Sequence, residues 1–220
     1  MFGLLQLTSN PDARPETALS YELGQRIQAT HAVSFDASAF YTIHQHMLGQ
    51  ESFAPYFVPP SGVDPAHLVF AILQTNVRYG ASEGYELSAT WSVNTRWRLT
   101  AGSDWLRVHT HEYAGIGATD TVTDGGTSPH NQYEFRSNMD LTKKLQFDTS
   151  IFFVAALPEE GVPAHFRLDL RLGWRPTDRL ELSTGVRDAL DPQHPEMLSQ
   201  RLTGLEGVQR NVYGKVTWRF

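Results

Sequence analysis

The feature that most constrains this chain is a period-2 alternation of apolar and polar residues, clearest in its last nine, Val212-Tyr-Gly-Lys-Val-Thr-Trp-Arg-Phe220. Val212, Gly214, Val216, Trp218 and Phe220 fall on one face, and Tyr213, Lys215, Thr217 and Arg219 on the other. Residues two apart on a strand point the same way, so this segment is a strand with one apolar and one mostly polar face. Two environments accept such a strand: the last position in a soluble sheet, or a membrane β-barrel whose outward residues meet lipid.

The alternation recurs upstream. In residues 18–29, Leu19, Tyr21, Leu23 and Ile27 oppose Glu22, Gly24, Arg26 and Gln28. In residues 33–47, Val33, Phe35, Ala37, Ala39, Tyr41 and Ile43 face out and Ser34, Asp36, Ser38, Thr42, His44 and His46 face in, with Phe40 as an exception. Residues 69–93 predict one long strand with a kink or bulge near Gly80–Gly84. Further strands are expected over 97–111, 131–141, 145–157, 165–174 and 180–187, with Phe152 and Val154 out of pattern.

The connections alternate in length. Short ones fall near residues 30, 94, 142 and 176, and long ones over 48–68, 112–130, 158–163 and 191–208. Outer-membrane barrels have short turns on one side and long loops on the other. Phe35, Trp91, Trp97, Phe147, Trp174, Trp218 and Phe220 lie beside the short turns, as an interfacial aromatic girdle would. The segments are about long enough to cross a hydrocarbon core when tilted, which takes roughly 9–11 residues.

Composition removes several classes. The 220 residues contain no cysteine, which excludes disulfides and thiolate metal sites. A formal charge of −6 with scattered Lys and Arg argues against nucleic-acid binding. No apolar run is long enough for a transmembrane helix, which does not bear on barrels. Met1-Phe-Gly-Leu-Leu-Gln-Leu7 lacks the basic and apolar regions of a secretory signal. No nucleophile elbow, paired-carboxylate geometry or phosphate-binding glycine loop is visible, so neither an enzyme nor a cofactor is expected.

Several stretches resemble TonB-dependent outer-membrane receptors. They are Asn10-Pro-Asp-Ala-Arg-Pro-Glu-Thr17 with Tyr21-Glu-Leu-Gly24, Gly84-Tyr-Glu-Leu87, Arg167-Leu-Asp-Leu-Arg-Leu-Gly-Trp-Arg175, Asp188-Ala-Leu-Asp191 and Tyr213–Phe220. Their order along nearly the whole chain carries the resemblance. Ala13 stands where that family usually has a larger aliphatic residue, and Asp188 where Asn is common.

The resemblance implies an all-β fold: residues 1–220 would be an antiparallel transmembrane β-barrel segment, about nine to ten strands of a larger plugged barrel of about 22. Phe2–Leu7 would be the stub of a tenth strand. No plug and no TonB-box segment is recognisable, so the chain is expected to be a fragment, a gene fragment or truncated reading frame, inactive alone. Its function would be uptake of a scarce ligand such as an iron–siderophore complex or cobalamin. The implied partners are outer-membrane lipid, the missing plug and N-terminal strands, the TonB complex through that missing part, and the barrel-assembly machinery. The ending resembles the sorting signal of outer-membrane barrels and assigns Val216, Trp218 and Phe220 to assembly, at the cell outer membrane.

Candidate ligand contacts are His44, His46 and Arg78, at the lumen or rim. His44-x-His46 and His109-x-His111 each put two imidazoles on one side of a strand, a start for Zn, Cu or Ni. Each pair lacks the usual third and fourth ligands, so no metal site is assigned. Trp105 shares the parity of the second pair, which leaves its facing open. The inward charges Glu134, Arg136, Arg167, Asp169, Arg171, Glu181 and Arg187 read as scaffold. Two other readings stay open: a small outer-membrane barrel presenting loops for adhesion or recognition, and a soluble β-sandwich.

Overall fold

A computed structural model describes residues 2–62, 65–116, 126–198 and 205–220. Its thirteen strands are β1 Phe2–Ser9, β2 Thr17–Gln28, β3 Val33–Ser52, β4 Tyr56–Val58, β5 His67–Asn94, β6 Trp97–Glu112, β7 Asn131–Asp140, β8 Leu145–Val154, β9 His165–Thr177, β10 Leu180–Arg187, β11 Gln193–Leu198, β12 Leu205–Gln209 and β13 Asn211–Trp218. Among the described residues there is no α-helix, and none long and apolar enough to cross a membrane.

The chain divides into two units. The first is Met1–Tyr21, Tyr41–Glu83 and Val108–Asp124, and the second Glu22–Phe40, Gly84–Arg107 and Gly125–Phe220. The sheet path is β13-β10-β9-β8-β7-β6-β5-β3-β2, nine strands, with β1 and β4 attached to β5 and a separate β11–β12 hairpin.

Within the second unit the register fixes the two faces. Trp97 pairs with Met139, Met139 with Phe147 and Phe147 with Leu172. Leu145 pairs with Trp174, Trp174 with Leu182 and Leu182 with Val216. The alternate positions form polar rows: Asn138, Asp148 and Arg171, then Ser183 and Lys215. Directly paired residues share a face, so the apolar set is continuous from strand to strand.

Among the described residues, that apolar face stays largely uncovered. The buried hydrophobic residues among those described are Val69, Val77 and Val162. Trp91 and Trp174 are each 50% exposed and Trp218 61%. A soluble sandwich would bury its inward apolar rows between two sheets. Here the rows are left for a non-aqueous surrounding.

The short turns share one device. Thr30 Oγ1 accepts from Ala32 N and Val33 N at 3.1 and 3.0 Å. Thr142 Oγ1 accepts from Lys144 N and Leu145 N at 3.1 and 3.0 Å. Thr177 Oγ1 accepts from Leu180 N at 3.1 Å, and Asn94 Oδ1 from Arg96 N at 2.8 Å. A short polar side chain thus satisfies the N–H groups that the reversing backbone frees.

Four expectations are corrected. First, β5 is the expected single long strand through Gly80 and Gly84, but without a bulge against β6. The same offset to β6 holds in both units: Tyr113 N donates to Val77 O, and the rings of Tyr79 and His111, and of Tyr85 and Trp105, meet. The glycines serve close approach instead. A Cβ at Gly80 would strike His109 O, and one at Gly84 would lie 2.5 Å from Trp105 O and 2.7 Å from the Phe40 ring.

Second, Phe2–Ser9 is a strand, but it pairs parallel with His67–Gln74 of β5 rather than beside β2. Its neighbour is the extra length of β5, which also takes β4 from the expected 48–68 loop. Third, β3 continues to Ser52. Fourth, the 191–208 loop contains the β11–β12 hairpin, with Pro195 opposite Gly207. Of the loop expected over 112–130, residues 117–125 lie outside the described residues.

Candidate functional site

On the polar face of the second unit several charges are paired. Arg171 donates to Asp148 at 2.7 Å and to Glu181 at 2.5 Å, and Arg175 donates to Glu181 at 3.1 Å. The Arg171 guanidinium occupies space that a side chain at position 173 would take, since a Cβ on Gly173 would lie 2.9 Å from it. Arg167 donates to both Asp169 oxygens, at 3.0 Å to Oδ1 and 2.6 Å to Oδ2. Arg136 pairs with Glu134 and Arg26 with Asp36. Arg187 lies over the Tyr213 ring at 5.6 Å.

Phe152, apolar but inward, is the platform beneath two of these cations, Arg167 at 4.8 Å and Arg136 at 5.9 Å. Exposed pairs of this kind contribute about 0.2–1 kcal/mol each, which suits a scaffold and not a ligand grip. One open cavity of about 600 Å³ does lie on this unit, lined by Arg26, Asp36, Glu86, Asp104 and Glu134 beside Gly24 and Gly102. Its volume is in the range of small-ligand sites, and its lining carries more carboxylates than cations.

In the first unit, His44 Nε2 meets Ser82 Oγ at 3.0 Å. His46 has a left-handed backbone, φ 58°, which interrupts the alternation that placed both histidines on one side. Its N–H donates to Tyr113 Oη at 3.3 Å, and its carbonyl accepts from Asn76 Nδ2. The side chain of Arg78 is buried, at 4% exposure. The rings of Tyr79 and His111 are 5.4 Å apart, and those of Tyr79 and Tyr113 5.2 Å. Residues 79 and 82 of an uninterrupted strand point to opposite faces, so His111 and His44 lie on opposite faces. Among the described residues, neither His pair belongs to a cluster of three metal-ligating side chains.

Asn76 escaped the sequence reading. It accepts from Arg14 N at 2.6 Å and donates to Arg14 O at 2.9 Å, while also reaching His46. Asn10 Oδ1 accepts from Asp12 N at 2.9 Å and its amide donates to Thr75 at 2.9 Å. Glu16 accepts from Leu48 N at 2.6 Å. The Asn10–Thr17 stretch is therefore a turn tied to β3 and β5, which explains its mix of Asn, Asp and Pro.

The terminal strand β13 pairs Val216 with Leu182 and Trp218 with Leu180. Val216, Trp218 and Phe220 are exposed, and Arg219 N donates to Arg179 O at 2.8 Å.

Residues 2–188 match the family model described as TonB dependent receptor-like, beta-barrel. The chain belongs to the TonB-dependent receptor family. Receptors of this family are outer-membrane proteins, and the fold agrees with solved examples. The siderophore receptor PirA from Acinetobacter baumannii matches with a TM-score of 0.71 and 15% identity, over 97% of this chain and 33% of that one. The FrpB iron transporter from Neisseria meningitidis (F5-1 variant) gives 0.70 and 16%, over 99% and 33%. The ferric-catecholate import receptor Fiu from K12 E. coli gives 0.69 and 14%, over 96% and 29%. The chain thus spans about a third of the length of these receptors. No match was found among the curated proteins.

Proposed function

We propose that this chain is the C-terminal part of the barrel of an outer-membrane TonB-dependent receptor, and that the receptor takes up a scarce ligand such as an iron–siderophore complex or cobalamin. The observation that carries this reading is the family match over residues 2–188 in a chain that spans only about a third of solved receptors. PirA, FrpB and Fiu are named for siderophore, iron and ferric-catecholate import, which supports the ligand class. A small adhesive barrel gains no comparable support.

In this reading the outward rows meet lipid and the paired polar face lines the interior. The plug, the remaining strands and the link to the TonB complex belong to the rest of the receptor. Val216, Trp218 and Phe220 engage the barrel-assembly machinery. His44 is kept as a ligand contact, since its ring is partly exposed beside Ser82. His46 and Arg78 are assigned to holding the rim: one offers its backbone to Tyr113 and Asn76, and the other is buried. The chain does no catalysis of its own.

The test is uptake of radiolabelled iron, as a panel of siderophore complexes, and of cobalamin, in cells lacking their own receptors. The complete receptor carrying these residues should give energy-dependent accumulation of one of them. Residues 1–220 alone, behind a signal peptide, should give none. Accumulation with residues 1–220 alone would overturn the part reading, and no uptake of any of these by the complete receptor would overturn the ligand class.

A further inference from the structure

Four side chains from three segments of the second unit converge where the connection after β10 folds back on the start of β9. Asp188 follows β10 directly, with φ 57° and 1% exposure. Asp is among the few non-glycine residues that tolerate this backbone region. Its N–H donates to Asp169 Oδ1 at 3.1 Å, and its carbonyl accepts from Arg210 Nε at 3.3 Å. With the backbone held so, Asp188 Oδ2 meets His194 Nδ1 at 2.8 Å, and His194 is itself 3% exposed. His194 and Glu196 are two apart on β11, and His194 Nε2 lies 3.1 Å from Glu196 Oε1. The His165 ring stacks on His194 with centroids 4.2 Å apart and planes 28° apart. Two atoms of the group are buried without a partner, His165 Nδ1 and Asp188 Oδ1.

We propose that His165, His194 and Glu196 bind one divalent transition-metal ion, of the zinc, nickel or copper(II) kind, with Asp188 holding His194 in the ligating tautomer. The electronic argument starts from His194. A neutral imidazole that donates Nδ1–H to Asp188 carries a lone pair on Nε2, and here that lone pair faces a carboxylate oxygen. Two lone pairs at 3.1 Å repel. A proton on Nε2 relieves the repulsion but leaves His165 Nδ1 buried and unpaired. A cation relieves both.

The ligand atoms are gathered, and a bound ion would draw them closer and turn the stacked rings toward it. Ligands at about 2.0–2.1 Å from a tetrahedral ion stand ~3.3 Å from one another. The ligating atoms of His165, His194 and Glu196 all lie within 4.8 Å of one another. Two imidazoles and a carboxylate form a ligand set for zinc-like ions with one position left for water. Asp188 stands to His194 as the carboxylate partner that metal-bound histidines commonly have, fixing ring orientation and tautomer. The ion is resident, not cargo: it fastens the β11–β12 hairpin to the ends of β9 and β10. The inference goes beyond the transport reading and is independent of the ligand imported.

The test uses the full-length protein extracted from outer membranes in detergent, titrated with ZnCl2 by calorimetry and loaded with Cu2+ for electron paramagnetic resonance. One ion per chain is expected, with hyperfine structure from two imidazole nitrogens. His165→Ala and His194→Ala should each weaken binding about tenfold or more, and Asp188→Asn, which keeps the backbone conformation, about 10–100-fold. His31→Ala, at an exposed turn position, should leave binding unchanged. If the histidine variants fail to assemble, Glu196→Gln, at an exposed position, should still weaken binding. No zinc bound by the wild type, a spectrum without two nitrogens, or wild-type affinity in the His165, His194 or Glu196 variants would overturn the site. Wild-type affinity in Asp188→Asn would overturn the role of Asp188.

Discussion

Facing is decided residue by residue, and Leu170 tests it. Leu170 pairs with Thr149 on one side and Val186 on the other, within the outward rows. Arg at this position should cost ~2–4 kcal/mol of folding into lipid if it lies near the midplane. The mild counterpart is Ser150→Arg, on the polar face opposite Arg136 and Asp169. Asp169 itself, the natural choice from alternation alone, is unsuitable because it holds Arg167 and the Asp188 N–H. Denaturant titration in lipid vesicles should separate Leu170→Arg from Ser150→Arg, and equal costs would refute the facing. The same scale shows what period-2 reading misses. Phe40 and Phe152 are apolar yet inward, because one packs on Gly84 and the other lies under Arg136 and Arg167. Alternation cannot separate such residues from a slip of register. The His165–Asp188–His194–Glu196 group was equally hidden, since its members come from β9, the end of β10 and β11, and only folding brings them together.

The nine strands of the sheet path were legible in the sequence as elements, since each shows its apolar face over enough residues to be read. The others were not. β1 is too short for its alternation to reveal a partner, and its parallel pairing with β5 depends on the unusual length of that strand. The β11–β12 hairpin lies in the expected 191–208 loop, and Pro195 would disfavour a central strand there. A two-stranded hairpin has only edges, where proline is tolerated. Strand β5 has 28 residues, roughly 90 Å at strand rise. Crossing needs only about 9–11 residues. The portion in the second unit, Gly84–Asn94, has that length and ends at Trp91 and the Asn94 turn. β13 makes the element-scale prediction. Its outward Val216 and Trp218 close a hydrogen-bonded pair with β10, and the assembly role assigned to Phe220 predicts that deleting it lowers the level of the complete receptor in the outer membrane. Immunoblots of fractionated membranes read that level, and an undiminished band would count against the role.

For the molecule as a whole, strand count and face matter more than any one contact. Nine hairpin-linked strands leave β2 and β13 running the same way, and no pairing among the described residues joins them. In lipid each unpaired edge N–H or C=O costs several kcal/mol, so under the proposed reading these edges pair with the strands of a larger barrel. The paired charges, the girdle aromatics and, among the described residues, the near absence of buried apolar side chains agree with that role. The central claim, that one face of this sheet meets lipid, is open to direct measurement because the chain has no cysteine of its own. Cysteine substituted singly for each of residues 167–173, within the complete receptor in outer membranes, would be challenged with a membrane-dissolved maleimide. Labelling should rise and fall with a period of two, strong at 168, 170 and 172 and weak at 167, 169, 171 and 173. Uniform labelling, or the opposite phase, would contradict the account.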